Sequence, residues 1–176
     1  MPAYSSDKIL EIYKGLLTMS FKNANGTCKN LIDPCANATI AVFQKCLETL
    51  LPIPSKPHYI FKFRNIIRVL KGILLLNQEF MTSDSMFIKL WYHEMMREFN
   101  DKFNSHEDRD WFKKTMSEMC SKHFHSAIEA IAQKGQIMFN DFSDSSARYK
   151  EVVTEPDQLL QICNATLEER NKDAPK

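Results

Sequence analysis

The stretch Leu50–Gly72, LLPIPSKPHYIFKFRNIIRVLKG, decides how this chain is organised. Its first part is interrupted by three prolines, Pro52, Pro54 and Pro57. Proline has no backbone N–H to donate and keeps the residue before it extended, so this part is not helical. Apolar side chains then recur at helical spacing from Ile66 to Leu74. The stretch therefore predicts an extended segment that leads into a helix beginning near Lys62.

Three cations share one side of that predicted helix, because they stand at positions i, i+4 and i+7: Arg64, Arg68 and Lys71. Arg64 lies in the first turn, where backbone N–H groups lack helical partners and the helix dipole is positive. A guanidinium at this place suits an anion such as a phosphate. The same spacing is also typical of an ordinary solvent-exposed face, so the pattern alone leaves both interpretations open.

Length and composition are those of a globular protein. The chain has 176 residues, enough for one domain or for one domain with an appendage, and 44% of them are hydrophobic. The formal net charge of +1 predicts no chain-wide attraction to nucleic acid or anionic lipid, so any basic site is local. The four glycines are not spaced as a Walker A loop requires. We therefore expect that the chain does not cradle a nucleotide by itself.

Cysteine usage and the N-terminus favour an intracellular protein. The five cysteines are scattered, without a C-x-x-C pair: Cys28, Cys35, Cys46, Cys120 and Cys163. Such a pattern predicts reduced thiols rather than a disulfide framework or a zinc ribbon. No apolar run approaches the roughly 20 residues that cross a bilayer, and the first residues lack the features of a signal peptide. We expect no membrane association.

Hydrophobic periodicity and capping signals predict an all-α fold with short extended segments. The predicted helices cover about 6–21, 33–50, 62–76, 83–103, 105–120 and 124–133, and a last one starts at about 154. In the second helix, Asp33 is the predicted cap and Pro34 the first residue, and in the fifth a capping box is predicted from Ser105 to Asp108. The end of the third helix is apolar and predicted to be buried. Residues 137–142 are predicted to be extended, and 143–147 to form a small polar joint. Six residues of the fourth helix form a stripe that we assign to the core: Phe87, Leu90, Trp91, Met95, Phe99 and Phe103.

Two patterns resemble metal sites without completing one. His93-Glu94 is followed by Arg97, where a metalloprotease H-E-x-x-H motif needs its second histidine. Cys120, His123 and His125 lie close in sequence, yet a tetrahedral site needs further partners that the sequence does not place nearby. We expect no metal.

Five blocks of sequence follow one another in the order that one known family shows. They are residues 50–64 (family wording LLPTPAKSHYxFNLRD), 90–99 (LWxHExxRVF), 107–112 (EDRxWF), 139–142 (FGDF), and the pair 149–152 and 167–171 (YxEVxD and LEEYN). These blocks resemble the axonemal type of dynein heavy chain, from the helical lid of its third AAA+ module to the lead-in to its fourth. The resemblance covers nearly the whole chain.

This resemblance implies an AAA+ lid-type helical bundle in residues 1–142, and a linker with the first helix of the fourth module in residues 143–176. In the family, the lid closes over a nucleotide held by a large α/β subdomain, and a lid arginine senses the phosphates. Carried over by position, that residue is Arg64, with Arg68 and Lys71 as support on the phosphate side. Planar guanidinium contacts to phosphate oxygens agree with the interpretation from the residues alone.

Partners, cofactors and location follow from the same resemblance. The chain would be a fragment of an ATP-driven, minus-end-directed microtubule motor of cilia or flagella, without catalysis of its own. It would bind no cofactor alone, whereas the parent module holds ATP or ADP with Mg²⁺. The partners would be the large AAA+ subdomain and neighbouring modules, and through the parent the microtubule and the dynein intermediate and light chains. The location would be the cytoplasm and cytoskeleton, in the axoneme.

Some positions depart from the family wording. Lys62, Phe63, Asn65 and Lys71 replace Asn, Leu, Asp and Gln, and Asn140 replaces a glycine. Because Asn65 replaces an acid beside Arg64, we expect the helix start to lose a partner. Residues 1–6 stand where the family has its P-loop subdomain, so we expect a fragment or a truncated gene product of a dynein heavy chain.

Two alternative functions remain. The first is a stand-alone helical interaction module derived from a truncated heavy chain, which binds a protein through an exposed apolar face. The second is a small nucleic-acid binder, for which the candidate residues are Lys56, Lys62, Arg64, Arg68 and Lys71. The near-zero net charge argues against the second, and we expect no nucleic-acid partner.

Overall fold

Helices form most of the computed structural model, which describes residues 5–22, 29–76, 83–131, 137–142, 149–151 and 156–173. The elements are α1 (Ser6–Ser20), α2 (Ile32–Thr49), α3 (Phe63–Leu75), α4 (Asp84–Phe99), a 3-10 turn (Asn100–Lys102), α5 (His106–Phe124), α6 (Ile128–Ile131), β1 (Phe139–Asn140), β2 (Lys150–Glu151) and α7 (Pro156–Asp173). The predicted all-α class with short extended segments is confirmed.

The chain divides into two compact units, Met1–Ile137 and Met138–Lys176. In the first unit, α2 packs against α1, α3 and α5, and α3 also packs against α4. In the second, β1 pairs antiparallel with β2, with Phe139 opposite Glu151, and α7 follows. The assignment of residues 1–142 to a lid and 143–176 to a lead-in helix stays a prediction.

A hydrogen-bonded chain crosses the core of the first unit. The Trp91 indole N–H donates to Thr39 Oγ1 at 2.9 Å, and the Thr39 hydroxyl donates to the Cys35 carbonyl at 2.7 Å. All three residues are fully buried. Because a buried polar atom without a partner costs about 1–3 kcal/mol, this chain fixes how α4 faces α2.

The aromatic stripe predicted for the core is confirmed. Its six members are at most 1% exposed: Phe87, Leu90, Trp91, Met95, Phe99 and Phe103. The helix that carries most of it ends at Phe99, and the 3-10 turn replaces the predicted last turn before Phe103 becomes buried. The stripe therefore contributes to the core both from α4 and from Phe103, which follows the 3-10 turn.

One predicted helix start and one predicted capping box are wrong in detail. α2 begins at Ile32, so Pro34 is its third residue rather than its first. α5 begins after Ser105 as predicted, but the Ser105 side chain makes no capping hydrogen bond. The expected acid of the capping box, Asp108, is instead bonded to the Lys56 ammonium and the Tyr59 hydroxyl. A tertiary contact therefore outcompetes the local one.

The end of α3 also differs from its prediction. The run of apolar residues was expected to be buried on several sides, yet Leu74 is 37% exposed and Leu75 is 62% exposed. Only one side of this last turn faces the core, through Gly72, Ile73 and Leu76. The predicted joint at 143–147 and the helix end near 133 lie outside the described residues.

Candidate anion-contact site at the start of α3

Arg64 is the second residue of α3 and faces solvent. The helix starts after Lys62, whose backbone is extended with φ −131° and ψ 163°. Among the residues that the structure describes, none forms a hydrogen bond or an ion pair with the Arg64 guanidinium. The side chain is therefore exposed and unpaired among the described residues, and the sensor role of Arg64 stays a prediction.

Asn65 completes the helix start, so the expected loss of a partner does not occur. Its side-chain Oδ1 accepts the Lys62 N–H at 2.8 Å, and its own N–H donates to the Lys62 carbonyl at 2.8 Å. An amide oxygen caps this N–H as a carboxylate would, because both are acceptors. The side chain is 6% exposed. Asn65 is therefore part of the core of the site.

A buried carboxylate on α4 collects the donors around this turn. Glu98 Oε1 accepts from Asn65 Nδ2 at 2.5 Å, from Lys102 Nζ at 3.0 Å and from Arg68 Nη1 at 3.5 Å. Arg68 is thus directed toward α4, although its side chain is 54% exposed. Lys71 is exposed, and no described residue pairs with it. The structure places all three predicted cations on one exposed side and couples one of them to Glu98.

The proline segment is anchored to the start of α5. The Lys56 ammonium forms an ion pair with Asp108, and the Tyr59 hydroxyl donates to Asp108 Oδ2 at 2.7 Å. His58 Nε2 lies 3.0 Å from the Lys102 carbonyl. Burial raises the pKa of the Asp108 carboxyl, but the hydrogen bonds from Lys56 and Tyr59 outweigh it, and the pKa lies below its ordinary value.

Aromatic packing continues this anchor into the core. The Phe61 ring stacks on Phe99 with centroids 5.8 Å apart and an interplanar angle of 16°. The Tyr59 ring meets Phe103 edge to face at 5.3 Å. Rings in such arrangements contribute about 0.5–1.5 kcal/mol beyond the area they bury. The chain segment that leads to Arg64 is therefore held in the core by the rings on both sides of Ile60.

A second buried carboxylate lies where α3 and α4 come closest. Glu94 is 0% exposed, and its Oε2 accepts from Arg97 Nη2 at 2.7 Å and from Arg97 Nε at 3.1 Å. A Cβ on Gly72 would overlap this oxygen. Arg97, at the position of a second metalloprotease ligand, thus neutralises Glu94.

Metal binding and membrane insertion find no support in the described part of the chain. No cluster of three or more His, Cys, Asp or Glu side chains is positioned there to hold a metal ion. Burial lowers the pKa of His93 and of His123, which favours the neutral imidazole of each. Within the same residues, no helix has the length and apolar character needed to cross a membrane.

Comparison with known families decides what this bundle is. Residues 35–134 match the AAA+ lid domain, and this segment contains most of α2 and all of α3 to α6, with the whole candidate site. The chain belongs to the AAA+ lid domain family. A lid of this family is the helical bundle that the sequence predicted.

The relatives of this AAA+ lid domain include axonemal dynein heavy chains, as the resemblance predicted. Rat dynein axonemal heavy chain 1 is 30% identical over 145 residues, which is 81% of this chain and 3% of that protein. Human dynein axonemal heavy chains 6 and 10 are each 26% identical over alignments of 182 and 183 residues, covering all of this chain and 4% of each protein. The AAA+ lid domain described here thus spans a few per cent of the relatives it matches.

Asn65, Glu98 and Asp108 hold the segments next to Arg64 in the structure, and sequence reasoning did not single them out. Asn65 was noted only as a departure, and Asp108 only as part of a capping box. A local signal existed for Asn65, since it stands three positions after the helix cap, where side chains bond back to the cap. The only local signal for Glu98 was its i,i+4 spacing to Lys102, and its other two donors come from residues 33 and 30 positions away.

Proposed function

We propose that this chain is the lid of the third AAA+ module of an axonemal dynein heavy chain, running into the fourth module. In this proposal, Arg64 contacts phosphate oxygens of ATP or ADP, with Mg²⁺, bound by the large α/β subdomain of the same module. The chain contributes no catalysis alone and acts within an ATP-driven, minus-end-directed microtubule motor. Its partners are the rest of the heavy chain and, through it, the microtubule and the intermediate and light chains in the axoneme.

The observation that carries the proposal is the state of Arg64. It is an exposed cation in the first turn of α3, and no described residue binds its guanidinium. An anion at this place would meet both a formal charge and the positive end of the helix dipole. Its neighbours on the chain are held by the Asp108 anchor and by Glu98, which fixes the backbone position of Arg64.

The test is a chimeric motor in which these 176 residues replace the matching segment of human dynein axonemal heavy chain 6. With the P-loops of the other modules inactivated, the affinity for fluorescent ADP is measured by titration. We expect Arg64→Ala to weaken binding about ten- to hundredfold, since hydrogen bonds to charged groups are worth about 1.5–3 kcal/mol. The exposed Arg170 of α7 supplies the matched control, and Arg170→Ala leaves the affinity unchanged. Equal affinities for Arg64→Ala and the unmodified chimera would contradict the sensor role.

A second candidate function, the stand-alone interaction module, is favoured by one observation. Ile12, Leu16 and Met19 of α1 are 43%, 41% and 76% exposed and follow one another at helical spacing. Pull-down of the chain against the rest of the heavy chain separates the two candidates. Capture of the heavy chain by the wild type but not by Leu16→Asp favours a lid that has lost its neighbour, whereas no capture at all favours an independent module.

A further inference from the structure

The carboxylate of Glu98 is the convergence point of the candidate site. Its Oε1 lies within 3.5 Å of donors from three residues, Asn65, Arg68 and Lys102, and its side chain is 9% exposed. A carboxylate taken this far out of water is stable only where several donors surround it. Two of these donors come from α3, so Glu98 ties the helix that bears Arg64 to α4.

Asn65 transmits this contact to the first turn of α3. Its Oδ1 is occupied by the Lys62 N–H at 2.8 Å and its Nδ2 by Glu98 at 2.5 Å. An amide accepts and donates at once, whereas a carboxylate only accepts. Aspartate at this position would therefore keep the cap but bring two carboxylates into direct contact. The residue type at position 65 is thus set by the acid across the helix interface.

Arg64 immediately precedes Asn65 in the chain, and one helical residue corresponds to a rotation of about 100°. Because Asn65 points inward to Glu98, Arg64 points outward from the same turn. Glu98 also accepts from Arg68 Nη1 at 3.5 Å, although the Arg68 side chain stays 54% exposed.

We propose that Glu98 is a positioning residue for Arg64, acting through Asn65. The role of Arg64 toward nucleotide rests on the proposed function, but the coupling of Glu98 to Asn65 does not. The ligand class concerned is the phosphate of a nucleotide bound by a neighbouring subdomain. The two parts are tested by separate measurements, so that the failure of one is distinguishable from the failure of the other.

The coupling is tested by thermal unfolding of the full 176-residue chain. Asn65→Asp lowers the unfolding midpoint by about 3–8 °C, since a chain of this length shifts by about 2–4 °C per kcal/mol. In the double variant Asn65→Asp with Glu98→Gln, the glutamine Nε2 donates to the introduced aspartate, and most of the loss is recovered. The surface acid Glu118, which pairs with Lys45 at 2.9 Å, supplies the control: Glu118→Gln does not rescue Asn65→Asp. Additive effects at positions 65 and 98 would overturn the coupling.

Positioning is tested in the chimeric motor by ADP affinity. Glu98→Ala leaves Asn65 without its acceptor, and we expect about three- to tenfold weaker binding. Glu98→Gln retains an acceptor for Asn65 Nδ2 and stays within about twofold of the unmodified affinity. In an Arg64→Ala background, Glu98→Ala causes no further loss. Retained affinity in Glu98→Ala overturns the positioning role. So does a loss from Glu98→Ala that is as large in the Arg64→Ala background as in the unmodified chimera. If Asn65→Asp affects stability and neither variant affects affinity, Glu98 is a structural residue only.

Discussion

Gly72 and Glu94 show how one residue without a side chain permits a charge inside the bundle. The Glu94 carboxylate occupies the space that a side chain at position 72 would need, and Arg97 neutralises it from the edge. An isolated carboxylate in such a place costs several kcal/mol, whereas a bonded one is tolerated. Glycine at position 72 is explained by this close approach rather than by a turn.

Alanine substitutions at two helical glycines separate this steric effect from helix propensity. Gly15→Ala in α1 has nothing within 4 Å of its new Cβ, and we expect it to stabilise the chain by about 0.5–1 kcal/mol. Gly72→Ala forces the Glu94 carboxylate to move, and overpacking of this kind costs about 1–3 kcal/mol. The measurement is the free energy of unfolding in urea for both variants. Stabilisation by Gly72→Ala as large as that by Gly15→Ala would show that Glu94 moves away freely.

At the scale of elements, the proline segment and the start of α5 form one structural unit. They lie about fifty residues apart in sequence, yet the Lys56 and Tyr59 side chains both end on the Asp108 carboxylate. Two of the blocks that carried the family resemblance, residues 50–64 and 107–112, are therefore in contact. Their common occurrence has a physical reason, since each supplies the other's partner.

Replacement of Asp108 by asparagine tests this unit through its pH dependence. The pKa of Asp108 lies below its ordinary value of about 3.9, so its contribution to stability is present above that pH and is lost as the pH falls through the lower folded value. The pKa of Lys56 is raised by its hydrogen bond with Asp108, so its contribution is complete below about pH 10.4 and is lost only above that. We expect Asp108→Asn to lower the thermal midpoint by about 3–6 °C between about pH 5 and 9, with the difference shrinking below about pH 4.

The control for this prediction is Asp110→Asn on the same helix, because Asp110 is exposed. Its effect on the midpoint should stay within about 1 °C, as for surface substitutions in general. A difference between wild type and Asp108→Asn that persists unchanged at about pH 3 would mean that the Asp108 charge is not the stabilising group.

At the scale of the whole molecule, the cysteine thiols differ in how far they are buried. Cys35, Cys46 and Cys120 are buried in the first unit, whereas Cys163 is exposed on α7, and none of these four thiols is in a disulfide. Burial raises the pKa of Cys46 to about 12 and raises that of Cys35 further. Cys28 lies outside the described residues.

Alkylation with iodoacetamide, followed by peptide mass spectrometry, therefore ranks the thiols by accessibility. At about pH 8 we expect Cys163 to react at least about a hundredfold faster than Cys46, because only the accessible thiolate is nucleophilic. In urea above the unfolding midpoint, the rates converge. Reaction of Cys46 at the rate of Cys163 in the native chain would show that the packing of α2 opens readily.

The local elements and the family of this chain were accessible from its sequence. Helix periods, the proline breaks and the aromatic stripe depend on residues close to one another, and the described helices follow them within a few residues. The position of Arg64 in the first turn of a helix was predicted in the same way, because it depends only on where the helix starts. The errors at Ser105 and at Leu75 arose where a local preference was taken as sufficient.

The tertiary structure alone decided which polar groups meet. Glu98 faces Asn65, Asp108 faces Tyr59, and Glu94 faces Gly72, each across an interface between elements distant in sequence. No period in the sequence encodes these pairs, since burial makes an unpaired charge too costly and the partner is whichever donor the packing brings within reach. The sequence determined that a cation stands at the start of a helix, and the packing of α3 on α4 and of the proline segment on α5 determined where that helix start lies.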